Sequence, residues 1–156
     1  MIKHVHIFDC DGVLVSSLHR YQTMPCGTRI DLDHWIANCN PEMIAKDTAL
    51  PHSLLYKHFL ADPEHYVVIA TARVCQQADF DWIAENLGMP QHFIYRKKGD
   101  HQSGVTLKLK GMRKLLNLKQ FKNAAITMYE DNIAYLDGVA IPLGAKRVFV
   151  ESDQGH

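Results

Sequence analysis

The chain has 156 residues, 47% apolar and 22% charged, and its 17 Lys/Arg are balanced by 17 Asp/Glu. That composition is ordinary for a soluble globular protein and fits one domain over residues 1–156, large enough for a real core. No apolar run is long enough to span a bilayer, and no basic segment leads into a signal-type apolar stretch, so a cytoplasmic protein with no membrane partner is expected.

The first predicted strand, residues 2–8, is an apolar run that stops at Asp9-Cys10-Asp11-Gly12-Val13. Residues i and i+2 of a strand face the same side, so Asp9 and Asp11 converge at the strand end, where Gly12 lets the chain turn away. Carboxylates paired in this way fit a divalent cation with a phosphate, or an acid/base pair. The plain alternative is a solvated strand-to-turn exit. His4 and His6 alternate with Val5 and Ile7, which suits a strand better than a metal site. A helix is expected over 52–60, with Leu54, Leu55, His58 and Phe59 at helical spacing. The strand at 66–71 ends in Thr71-Ala72-Arg73. A helix over 75–87, closed by Gly88 and Pro90, leads to a strand at 92–95 and then to a helix over 105–118. A strand at 124–129 runs into Glu130-Asp131-Asn132, a short helix over 132–138 ends at Gly138, and a strand at 147–150 closes the set.

Continuous apolar strands alternating with helices predict a three-layer α/β fold around a parallel sheet with right-handed crossovers. Ligands of such sheets bind beyond the carboxyl ends of the strands. Asp9/Asp11, Thr71 and Glu130/Asp131 are therefore expected at one edge. Cys10, Cys26, Cys39 and Cys75 form no C-x-x-C pair and are expected as reduced, mostly structural thiols. Gly99 and Gly104 have the spacing of a phosphate-binding loop, but Val105-Thr106 replaces the Lys-Ser/Thr that follows it, so no ATP site is expected.

The net charge of zero conceals an asymmetry. Residues 96–122 hold nine Lys/Arg against Asp100 alone, whereas residues 1–95 hold six against eleven Asp/Glu. A basic segment beside an acidic site suggests a phosphate-rich substrate; a solvated helix face is the alternative.

Such a set can cleave a phosphate ester. Carboxylates can hold Mg²⁺, which neutralises phosphate charge and prefers oxygen donors. Asp9 can attack as a nucleophile to give an aspartyl-phosphate, and Asp11 can carry the proton if its pKa is suitably raised. Thr71 can bind a phosphoryl oxygen, and a lysine can offset the remaining charge.

Asp9-x-Asp11-Gly12-Val13, Thr71 after an apolar strand, a downstream lysine and Glu130-Asp131 after another apolar strand resemble the four motifs of the haloacid dehalogenase superfamily phosphatases. Arg96-x-x-Gly99-Asp100 followed by Lys108 is similar to a segment in the phosphatase domain of phage polynucleotide kinase-phosphatases, and Leu18-His19-Arg20 and Asp33-His34-Trp35 are similar to its small phage-type relatives. The resemblance implies a Rossmann-like fold with five parallel strands in the order 3-2-1-4-5. It implies Asp9 as nucleophile, Asp11 as general acid/base, Thr71 on the phosphate and Lys108 between nucleophile and phosphoryl group. Lys110, after Thr106, fits a looser superfamily pattern. Glu130, Asp131, Asp9 and Asp11 (through its carbonyl) would hold Mg²⁺, and Gly12, Ala72, Arg73 and Arg96 would contact substrate. The interval from Gly12 to Tyr66 is too short for a large cap, so a minimal cap or none, and an open site, is expected.

Ala72, Gln102 and Asn132 depart from the family pattern, where glycine, arginine and arginine are usual. The hydrolytic set is untouched by these changes; nucleic-acid specificity transfers less well. The leading expectation is a phosphomonoesterase acting on 3′-phosphates of nucleic acid ends or nucleotides. A small-metabolite or 5′-nucleotide phosphatase, and a non-catalytic phosphate-binding module, are the alternatives.

Overall fold

The computed structural model describes residues 1–154. Five parallel strands form the central sheet: β1 (His4–Phe8), β4 (His65–Val74), β5 (His92–Arg96), β6 (Ala125–Glu130) and β7 (Lys146–Phe149). Their order is β5-β4-β1-β6-β7, which is the expected 3-2-1-4-5 when sheet strands alone are counted. β1 is central, as a strand delivering site residues must be.

Side-chain alternation along β1 divides the core. Val5 and Ile7 join Leu107, Met112, Leu115 and Val139 on one face, while Phe8 joins Tyr56, Trp82, Ile83 and Leu87 on the other. α3 (His52–Leu60) and α4 (Gln77–Asn86) thus cover one face, and α5 (Gly104–Leu116) and α6 (Ile133–Leu143) cover the other. Each fully buried side chain of this size contributes about 1.5–3 kcal/mol. Ser103 caps α5 by accepting from the Thr106 amide, and Asn132 caps α6 by accepting from that of Tyr135.

Two elements run longer than expected. The second sheet strand continues through Thr71-Ala72-Arg73 to Val74, with a register irregularity between Ala70 and Val74. The last helix passes Gly138 and ends at Gly144, which takes the left-handed conformation (φ 66°). Gly138 is a packing residue, not a stop: a Cβ there would lie 2.9 Å from Val105 Cγ1.

The interval between β1 and β4 holds a minimal cap. β2 (Val15–Ser16) pairs antiparallel with β3 (Thr48–Ala49), and α1 (Leu32–Ala37) and α2 (Pro41–Ile44) lie between them. A buried ion pair pins this insertion: Arg20 donates from Nε and Nη2 to Asp47 at 3.0 and 2.8 Å, and Trp35 covers the guanidinium at 4.4 Å. Among the described residues, no helix is long and apolar enough to cross a membrane.

Candidate active site

Asp9 and Glu130 stand at the ends of β1 and β6 and Thr71 lies in the last part of β4, so the sheet itself gathers these side chains. β1 and β6 pair Phe8 with Tyr129, which places Asp9 beside Glu130. Lys108 arrives from the first turns of α5. Its Nζ is buried and donates to Asp9 Oδ1 at 2.9 Å and Glu130 Oε2 at 2.7 Å. Lys110 is exposed on the same helix. Glu130 Oε1 accepts from the amides of Asp131 and Asn132 at 3.2 and 3.3 Å.

Asp9, Glu130 and Asp131 each offer a carboxylate oxygen within 4.8 Å of the other two. Burial, then the charge of Glu130, pushes Asp9 up to about 8 against the pull of Lys108. Burial, then the charge of Asp9, lifts Asp131 to about 7. Burial also raises Glu130. Burial alone would lower Lys108, but Asp9 and Glu130 hold it above the ordinary lysine value, so it stays cationic. Three acids crowded around one lysine leave excess negative charge. An all-oxygen donor set of that kind fits a hard divalent cation. Gly12 permits the approach: its φ is 80°, and a Cβ there would lie 2.1 Å from Asp131 Oδ2.

Asp11 faces a different set. It accepts from Arg73 Nε at 3.1 Å, from Arg73 Nη2, and from Ser17 Oγ at 2.8 Å. Burial would raise this carboxyl, but the Arg73 charge and hydrogen bonds, with Ser17, leave it below its usual value. The side chain is thereby drawn away from the Asp9–Glu130–Asp131 group. Thr71 is buried beside it, and its Oγ1 accepts from the Arg73 amide at 3.1 Å.

Two residues expected to touch substrate are engaged elsewhere. Arg73 is 7% exposed and spans Asp11 and Asp79, the latter at 2.7 Å, beneath the Trp35 ring at 5.6 Å. Its charge is consumed by buried carboxylates. Arg96 donates to the Ala72 carbonyl at 2.9 Å and to the carbonyls of Asp100 and Gln102 at 3.0 and 2.6 Å. It clamps the loop before α5, and Ala72 takes part through its carbonyl.

The basic segment divides in the same way. Lys108 and Arg96 turn inward, Lys97 and Lys98 are exposed just after β5 at the same sheet edge as Glu130, and Arg113, Lys114, Lys119 and Lys122 are exposed from the end of α5 to the start of β6, at the opposite edge. Sequence reasoning missed Ser17, Asp47, Asp79 and Gln154. Gln154 donates to Ser17 Oγ at 2.8 Å, behind Asp11. None carries a local signal, because the fold brings each to Asp11 or Arg73 from a distant segment or a neighbouring turn.

The sequence matches the family model described as bacteriophage T5 5′-deoxynucleotidase over residues 1–91, which includes Asp9, Asp11, Thr71 and Arg73. No curated protein matches it. Among solved structures, a chain of the Pnkp1/Rnl/Hen1 RNA repair complex superposes with a TM-score of 0.64 at 14% identity, over 97% of this chain but only 44% of that one. A haloacid dehalogenase-like hydrolase from Streptococcus pneumoniae gives 0.63 at 14% identity, over 97% and 88% of the two chains. D,D-heptose 1.7-bisphosphate phosphatase from B. bronchiseptica, complexed with magnesium and phosphate, gives 0.58 at 17% identity, over 94% and 79%. The family match and the shared fold lead to one conclusion: the chain belongs to the bacteriophage T5 5′-deoxynucleotidase family, and its fold is that seen in haloacid dehalogenase-like hydrolases.

Proposed function

We propose that the protein is a Mg²⁺-dependent phosphatase that removes the 5′-phosphate of a deoxynucleotide through an aspartyl-phosphate on Asp9. The observation that carries the chemistry is the Lys108 ammonium bridging Asp9 and Glu130 in a buried site. It holds Asp9 in one orientation and supplies positive charge where a phosphoryl group must approach. Asp9 and Asp131 would hold the metal. Glu130 is committed to Lys108 and two backbone amides. When bound, Mg²⁺ supplies neutralisation of the phosphate oxygens.

In the first half-reaction an Asp9 oxygen attacks phosphorus, the bond to the ester oxygen breaks, and Asp11 protonates the leaving oxygen. In the second, Asp11 takes a proton from water, the water oxygen attacks phosphorus, and the bond to Asp9 breaks to release phosphate. Thr71 would bind a phosphoryl oxygen. Asp11 must be freed from Arg73 to carry its proton, because that pairing favours the ionised form.

The family match supports the 5′-deoxynucleotide as substrate. Arg113, Lys114, Lys119 and Lys122 lie away from Glu130, which weakens the basic-track argument for a polynucleotide and leaves Lys97 and Lys98 at the site's edge of the sheet. A second reading, the 3′-phosphates of nucleic acid ends, is favoured by the Arg96–Asp100 loop, which Arg96 ties to the Ala72 carbonyl next to Thr71 and which leads into α5, the helix that carries Lys108. Four unpaired cysteines suit a reducing compartment such as the cytoplasm. The test is a panel of deoxynucleoside and ribonucleoside 5′-monophosphates, 3′-phosphorylated oligonucleotides and sugar phosphates, with Mg²⁺. The highest kcat/KM is expected on deoxynucleoside 5′-monophosphates. Preference for 3′-phosphorylated ends would transfer the conclusion to the second reading, and absence of turnover on every ester would leave a binding module.

A further inference from the structure

At the sheet edge opposite Asp9, three imidazoles meet. His4 and His65 are register partners at the starts of β1 and β4, and His6 follows on the same face of β1. His6 Nε2 lies 2.7 Å from His65 Nδ1, and the His4 ring stacks on His6 with centroids 4.2 Å apart. One ring nitrogen from each lies within 4.8 Å of the other two.

The outer nitrogens complete the pattern. His6 Nδ1 is 3.2 Å from the Tyr129 hydroxyl and His4 Nε2 is 2.8 Å from Thr127 Oγ1, both within hydrogen-bond distance, and His65 Nε2 is 3.6 Å from Asp62 Oδ2, within ion-pair distance only. Metal-bound histidines characteristically donate the second ring N–H to an oxygen of this kind, which fixes the tautomer and directs the other nitrogen at the ion. Two of the three oxygens come from β6, so the arrangement spans the three central strands. The Phe59 ring, 3.6 Å from His6, holds that imidazole from its other face.

We propose that His4, His6 and His65 form a Zn²⁺ site separate from the carboxylate centre, with His6 Nε2, His65 Nδ1 and His4 Nδ1 as ligands and a water in the fourth position. Three imidazoles are a known zinc donor set, whereas Mg²⁺ prefers oxygen, so the two sites select different ions. The ion takes the place of the proton now shared between His6 and His65. That proton moves to the outer nitrogen of its own ring, so both rings stay neutral. The half-buried His4 ring turns about its Nε2 hydrogen bond to Thr127, out of its stack on His6, to point Nδ1 at the ion. The site would tie the start of β1 to β4.

The experiment uses the full chain, stripped with chelator and then saturated with Mg²⁺, and measures Zn²⁺ binding by calorimetry and Co²⁺ binding by visible absorption. One Zn²⁺ per chain and a tetrahedral Co²⁺ spectrum are expected. His4→Ala should weaken binding by at least about tenfold, and Thr127→Val, which removes only an outer oxygen, by about tenfold. Asp131→Asn should leave binding unchanged. Circular dichroism and thermal melting check that each variant is folded. Absence of Zn²⁺ binding in the presence of Mg²⁺, or binding lost in Asp131→Asn and kept in His4→Ala, would overturn the assignment.

Discussion

Asp9 and Asp11 are two residues apart, yet the region around Asp9 is built from β1, β6 and α5, whereas the region around Asp11 is built from β4, α4 and the cap. Around Asp9, two carboxylates, Asp9 and Glu130, share one buried lysine with Asp131 close by, and burial with like charge pushes the acid upward. Around Asp11, a buried arginine with its own carboxylate partners pulls the acid down. The first region has a deficit of positive charge that a cation would fill. The second is internally balanced and must be opened before Asp11 can carry a proton. In the proposed mechanism, one strand end would thus offer a nucleophile and a proton carrier by placing two identical side chains in opposite fields.

Removing the nucleophile breaks the comparison most severely. Asp9→Asn is expected to lower kcat by on the order of 10⁴-fold or more in a steady-state assay. It should leave the fold intact by circular dichroism, because it relieves carboxylate crowding. Lys108→Met should come next, destabilising the protein by about 3–5 kcal/mol in urea unfolding, since it leaves Asp9 and Glu130 buried without their cation. Lys110→Ala on the exposed face of the same helix should stay within about 0.5 kcal/mol. Equal effects at the two positions would contradict the assignment of Lys108.

Arg73→Gln sharpens the contrast from the other side. Without the guanidinium the Asp11 pKa rises, and a larger fraction of Asp11 is protonated at neutral pH. The basic limb of the kcat/KM profile should therefore move to higher pH, while Asp47 and Asp79 lose a partner and the melting temperature falls. An unmoved pH profile would disconnect Arg73 from the proton carrier.

The smallest effect is a pH dependence with an unusual sign. Asp9 and Asp131 are raised to about 8 and about 7 in the fold, so between the unfolded carboxylate range near about 4 and these values the native state binds more protons than the unfolded chain. Their contribution is fully present below that range and is lost as pH rises through about 7 to 8. The metal-free melting temperature should fall as pH rises from about 5 to 8, and saturating Mg²⁺ should flatten the slope. A metal-free melting temperature that rises over this window would contradict the crowded-carboxylate description.

The parts legible in the sequence were those with a strong local signature. The three central strands are largely apolar runs, and Asp9, Thr71 and Glu130 stand where a run meets polar residues, so their convergence followed from topology. The cap was illegible because its strands are two residues long and its helices at most six, too short for any periodicity to register. The partners of Arg73 and Arg96 were illegible for another reason. An arginine beside a motif is equally suited to a phosphate, a carboxylate or a carbonyl, and only packing decides. Gly138 reads in the sequence as a helix end, whereas its missing side chain serves the contact between α5 and α6.

The central claim is that Asp9 is the phosphorylated nucleophile. Rapid acid quenching of the wild-type enzyme during turnover of a deoxynucleoside 5′-monophosphate with Mg²⁺, followed by peptide mass analysis, tests it directly. One phosphoryl group on the peptide containing Asp9, absent in Asp9→Asn, is the expected result. Undiminished turnover by Asp9→Asn, or a phosphoryl group carried on a different residue, would contradict it.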